Sequence, residues 1–189
     1  LVLGMLAEGV GEKLYPNLRP LLVPLLELSK DKKVTKAVEK CVDSLFDNVL
    51  SFSHLVEEED SLRAVLNEKK QKNTLVRVTT LSFLQRCISR SHYLKKRGTL
   101  NSSLTNQVGM LCVEKLNDLD AGVRKEVTEC LRAMKDHPYE NIRSTSNSII
   151  NDLQQSHSRV YKSLSSKTSN GAGESRPPLV GARNPSRSR

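Results

Sequence analysis

The chain of 189 residues contains no tryptophan, and phenylalanine and tyrosine number only three and four. An all-β sandwich or barrel draws on more Val, Ile, Tyr and Phe than this. The same scarcity argues against RNA platforms that stack bases on exposed aromatic rings. Long apolar runs are missing too: the longest uncharged one, residues 20–26, is far short of the ~20 residues that span a bilayer. None of the four cysteines (Cys41, Cys87, Cys112, Cys130) sits in a CxxC pair, and the four histidines show no HExxH or HxxxH spacing. Neither a metal nor a cofactor is expected. The cysteines fall on apolar helix faces, where the thiol acts as a small hydrophobe. Buried reduced thiols fit a cytosolic or nuclear protein, in which the sequon Asn101-Ser102-Ser103 has no meaning. Gly4, Gly9 and Gly11 lie in a helical run and lack the Lys-Ser/Thr of a phosphate loop. The acidic run Glu57, Glu58, Glu59 and Asp60 reads as favourable charge at a helix start rather than a metal site. The chain opens on Leu in mid-pattern without a signal-peptide layout, as expected of a piece of a longer protein. No catalytic constellation emerges, and the sequence reads as a binding scaffold, not an enzyme.

What the chain does have is helical periodicity and cations. Lys and Arg number 30 against 21 Asp and Glu, a net charge of +9. Apolar residues recur at helical spacing up to about residue 155. Helices are predicted over 3–14, 17–29, 33–50, 55–68, 75–91, 103–116, 121–135 and 139–154. Pro20 suits a first turn, whereas Pro24 is expected to bend or delay its helix. From about 164 onward the pattern stops. That Ser, Gly, Pro and Arg segment has five cations and one acid. With little apolar area to bury, residues 163–189 are expected to form a disordered basic linker.

An internal repeat sets the expected architecture. Val34, Val76 and Val123 align; at +4 stand Val38, Thr80 and Val127, and at +7 Cys41, Phe83 and Cys130. At +8 stand Val42, Leu84 and Leu131, and at +11 Leu45, Cys87 and Met134. The separations, 42 and 47 residues, match the helix-pair period of HEAT and armadillo repeats. Each second helix follows a turn carrying Asp or Asn, residues that suit turns and N-caps. The expected fold is all-α, a right-handed α-solenoid of HEAT-like helix pairs, because one pair alone cannot bury both faces. Within 1–162, residues 1–14 would be the second helix of one repeat. Pairs follow at 16–50, 55–91 and 103–135, and a polar capping repeat, one pair or one long helix, at 139–162. The stack is expected to continue upstream.

The turns inside the pairs are basic: Lys30, Lys32, Lys33 and Lys36, then Lys69, Lys70, Lys72 and Arg77, then Arg124 and Lys125. In stacked pairs such turns line up along one edge, about 10 Å apart, and a ladder of cations seeks an acidic partner surface. Arg77 and Arg124 also admit a structural reading, because an Arg after the Val that opens a second helix often pairs with an Asp of the neighbouring turn.

Three stretches carry a family resemblance. Residues 25–46, "LLELSKDKKVTKAVEKCVDSLF", resemble the third repeat of TOG domains, the HEAT-repeat arrays of ch-TOG-type microtubule polymerases. Residues 72–84, "KNTLVRVTTLSFL", are similar to the fourth-repeat turn, and residues 118–134, "DLDAGVRKEVTECLRAM", resemble the fifth repeat. Thr74 stands where the family usually has Pro, and the first two repeats, with their turn Trp, have no counterpart here. The resemblance implies a tubulin- and microtubule-binding module of a polymerase or plus-end regulator, gripping αβ-tubulin through Lys32, Lys33, Lys72, Asn73, Arg77 and Arg124. It implies a cytoplasmic, cytoskeletal location at microtubules, the spindle, or the centrosome or spindle pole. The basic linker would meet the acidic microtubule lattice. The alternative is a generic HEAT/armadillo scaffold for another acidic protein surface. A nucleic-acid partner is disfavoured because aromatics are few and the charge excess is modest outside the tail. No membrane partner is expected.

Overall fold

Three prolines at four-residue spacing shape the start of the chain. Pro16, Pro20 and Pro24 each lack an N–H, so successive i→i−4 bonds cannot form. In a computed structural model of the protein, which describes residues 2–56, 61–94 and 99–165, the helix predicted over 17–29 is therefore a chain of short pieces. These are α2 (Tyr15–Leu18), a 3₁₀ turn Arg19–Leu21, α3 (Leu22–Glu27) and a 3₁₀ turn Leu28–Lys30. The preceding α1 (Val2–Val10) ends earlier than the predicted 3–14, because Gly11 takes a φ of 64° that an L side chain avoids.

The longer elements follow the apolar pattern: α4 (Lys32–Asn48), α7 (Thr74–Arg90), α8 (Ser102–Lys115) and α9 (Ala121–Lys135). Each start is fixed by a side-chain cap, Asn101 at α8 and the predicted turn residues at the other three. The carboxylate of Asp31 accepts from the Lys33 amide at 2.9 Å, Asn73 Oδ1 from Leu75 at 3.0 Å, and Asp120 Oδ1 from Gly122 at 2.8 Å. The helix predicted over 55–68 is instead two, α5 (Phe52–Val56) and α6 (Leu62–Leu66). Ser61 caps the second and Asn67 ends it in an extended conformation. The acidic run at 57–60 lies outside the described residues. The segment expected to cap the array holds two helices, α10 (Glu140–Ser156) and α11 (Ser158–Ser165), so helix runs past the predicted boundary at 162. The rest of the predicted linker, 166–189, lies outside the described residues.

The described residues form an all-α structure of packed helices without strands. α1, α4, α7, α9 and α11 touch in that order, while α3 meets α6, α5 meets α8 and α8 meets α10. Of the fifteen aligned repeat positions, all but Val34 are buried. α7 is enclosed on several sides and carries Phe83, which meets Phe46 edge-on at 6.3 Å; Phe46 meets Phe52 at 5.3 Å. All four cysteines are buried and free, and burial pushes the Cys87 thiol well above its ordinary range. No helix among the described residues is long and apolar enough to cross a membrane.

Candidate protein-binding edge

Three of the turns between successive helices are joined by a chain of polar contacts. Gln71 Nε2 donates to Glu27 Oε1 at 3.0 Å, linking the second turn to the end of α3. Arg77 Nη1 donates to the Gln71 carbonyl at 2.8 Å. The same guanidinium grips Asp118 with two bonds, Nε to Oδ2 at 3.1 Å and Nη2 to Oδ1 at 3.0 Å. Arg124 Nη1 then donates to the carbonyls of Asp118, at 2.6 Å, and Leu119, at 2.9 Å. The turns at 28–31, 67–73 and 116–120 thus share one edge, where their backbones are held by side chains.

A local rule recurs here. The residue after the Val or Ile near the start of a helix donates to the carbonyl six positions back. Thr35 reaches Ser29, Arg77 reaches Gln71, Arg124 reaches Asp118, and Arg143 reaches His137. Each donor satisfies a carbonyl of the turn, a group that helix ends leave without an intrahelical partner.

The predicted contact residues separate accordingly. Lys32, Lys33 and Lys72 are exposed on the edge, as are Lys69 and Lys70 of the second turn. Asn73 is exposed, but its side-chain oxygen is occupied by the amides of Leu75 and Val76. Arg77 needs correction: its side chain is 5% exposed and Asp118 is 1% exposed, so its guanidinium is a buried tie between turns, not a free contact. The two charges are buried together because each satisfies the other, and a bidentate pair fixes geometry as well. Arg124 is half-buried, with one amino group on two carbonyls. Lys36, one turn into α4, lies off the edge, against the groove beside α1.

Leu119 is the residue the sequence reading missed. It is 92% exposed, the highest among the large apolar side chains of the described residues. Its neighbours are committed, Asp118 to Arg77 and Asp120 to the cap of α9. Leu119 therefore projects from a turn whose backbone is pinned. It lines a groove of 560 Å³ together with Glu68, Lys69, Lys72, Thr74, Arg77 and Asp120. The available signal was its position: an apolar residue in a turn, outside the repeat register, has no helix face to bury it.

On the opposite ends of these helices, Ser91 Oγ and His137 Nε2 lie 2.7 Å apart. The pair has the wrong polarity for nucleophilic catalysis. The Tyr139 amide donates to His137 Nδ1 at 3.2 Å, which leaves the ring proton on Nε2, pointing at the serine. Ser91 in turn donates to the Ile88 carbonyl at 2.8 Å. The cluster is a clamp between turns, and burial holds the His137 pKa below the ordinary histidine value. Among the described residues no group of three or more His, Cys, Asp or Glu could hold a metal ion.

No protein-family model matches the chain, and no solved structure matches it significantly. Among curated proteins the chain is similar to Centrosomal protein 224 of Dictyostelium discoideum, with 26% identity over 134 residues. The aligned part is 70% of this chain and 6% of that protein's length.

Proposed function

We propose that the chain is a tubulin- and microtubule-binding module of the TOG type, an array of HEAT-like helix pairs that docks through its intra-pair turns. The observation that carries the reading is the pinned edge. Side-chain contacts from Glu27 to Arg124 hold three turns in one row, with Lys32, Lys33 and Lys72 free on its surface and Leu119 exposed beside them. A row held before binding loses little freedom on docking, and that favours affinity. Its exposed lysines suit the acidic surface of tubulin, and Leu119 adds an apolar contact on a groove lined by charges of both signs, Lys69 and Lys72 with Glu68 and Asp120. The likeness to a protein named as centrosomal is consistent with a cytoskeletal role.

The experiment is a size-exclusion titration with soluble αβ-tubulin. Leu119→Ala and Lys72→Ala are expected to weaken binding without lowering the melting temperature, Leu119 more strongly, by ~10-fold. Burying a leucine is worth about 1.5–3 kcal/mol, whereas an exposed cation contributes about 0–1 kcal/mol. Unchanged binding in both variants removes the edge from the tubulin interface. A chain that ignores tubulin yet binds another acidic protein through the same residues points to the generic scaffold reading.

A further inference from the structure

Helix α4 segregates its charges. On the flank toward α7 stand Glu39, Asp43 and Asp47, and α7 answers them with Arg86 and Arg90. Arg86 Nε meets Asp43 at 3.0 Å, Arg90 Nη2 meets Asp43 at 3.1 Å, and Arg90 Nη1 meets Asp47 at 3.0 Å. That seam is closed. On the flank toward α1 stand Lys33, Lys36 and Lys40, spaced three and four residues apart on one face. All three are exposed, and none makes an ion pair among the described residues.

These lysines rim a groove of 450 Å³ between α1 and α4. The helices come close where Ser44 Oγ donates to the Gly4 carbonyl at 3.2 Å; a Cβ on Gly4 would stand 3.3 Å from that oxygen. The lining is small or apolar, formed by Gly4, Ala37, Cys41, Ser44 and Met5, and Glu8 is the single acid. Met5 lies on the groove wall at 69% exposure.

We infer that this groove docks an extended acidic segment of a partner protein, with an apolar side chain on the floor and carboxylates against the lysines. Charge complementarity selects the occupant: three cations against one acid face a gap whose floor is apolar. Length agrees, since Lys33 and Lys40 are about 10.5 Å apart along the helix axis, close to three residues of extended chain. No aromatic ring lines the groove, so nothing there can stack a base, which sets nucleic acid aside. Lys33 belongs to both the edge and the groove, whereas Lys36 and Lys40 rim the groove alone, so variants at those two test this inference separately from the tubulin reading.

The test uses methyl NMR of the 189-residue chain labelled at methionine. It has three methionines: Met5 in the groove, Met110 exposed on α8 and Met134 buried on α9. The probe is a synthetic seven-residue peptide of glutamates with a central leucine. The controls are its glutamine counterpart, an all-glutamate peptide and a short oligothymidylate. The expected result is a saturable shift of Met5 alone, absent with the glutamine peptide and weaker without the leucine. Lys36→Gln/Lys40→Gln should lower the peptide affinity by ~5-fold and Lys36→Glu/Lys40→Glu by more, with the melt unchanged, because exposed cations act mainly through charge. An unmoved Met5 signal overturns the proposal. So does an equal shift with the glutamine peptide, which removes the charge requirement, or with oligothymidylate, which removes the peptide.

Discussion

Arg77 and Arg124 occupy the same repeat position and differ in what their removal exposes. Arg77→Ala leaves the Asp118 carboxylate buried with one fewer charge partner, and breaking a buried pair costs about 3–5 kcal/mol. At about 2–4 °C per kcal/mol for a chain of this size, its melt should fall by roughly 10 °C. Arg124→Ala removes bonds to two turn carbonyls that water can partly replace, and should cost about 1–2 kcal/mol. Thermal melts of the two variants check the order; a larger loss for Arg124→Ala would contradict the burial seen here. At Asn73 the cap and the contact separate. Asn73→Ala should lose about 1 kcal/mol of stability. Asn73→Asp keeps the cap, places a negative charge in a cationic row, and should weaken tubulin binding at unchanged stability. His137 gives a pH signature. Its folded pKa is lowered, by burial first and by His92 and Arg143 next. Its contribution to stability is therefore fully present above the unfolded histidine pKa of about 6.5 and is lost as pH falls toward the lower folded value. Urea melts at about pH 7.5 and about pH 5.5 should show a smaller loss in His137→Gln than in the parent chain.

At the scale of elements, the seam between α4 and α7 is a lattice of half-exposed ion pairs, each worth about 0–1 kcal/mol after screening. Asp47 is its weakest member, since burial raises its pKa despite the pull of Arg90. Asp47→Asn should therefore leave the urea midpoint nearly unchanged; a loss above about 1 kcal/mol would mean the pair is stronger than an exposed one. The sequence made the repeat register legible because 3.6-residue spacing marks the buried face whatever the partner, and fourteen of fifteen aligned positions are buried. Val34 is the exception, at 38% exposure. The elements misread are those in which backbone chemistry overrides periodicity: the proline-spaced segment over 15–30, the stop at Gly11, and the break between α5 and α6 at the cap of Ser61. For the edge, the basic turns were legible as a pattern of cations. Their sorting was not, because Arg77 and Lys72 look equally free in one dimension. Only the approach of Asp118, 41 positions away in the chain, buries one and leaves the other exposed. Leu119 escaped for a related reason, since exposure of a single leucine is decided by what its neighbours bind.

At the scale of the whole molecule, buried polar ties hold three turns in an outer row. The packed helices set the order of the turns, the arginines pin them, and the lysines and Leu119 stay exposed, which is what the proposed docking needs. The most direct test of that account is a calorimetric titration of αβ-tubulin into the 189-residue chain at low ionic strength, beside a Lys32→Glu/Lys33→Glu/Lys72→Glu variant. All three lysines are exposed, so the variant should melt with the parent. The account predicts saturable binding by the parent, weakening as salt rises because the attraction is screened over about 10 Å at 0.1 M, and no measurable binding by the folded variant. Equal binding by both chains, or none by the parent, would contradict it.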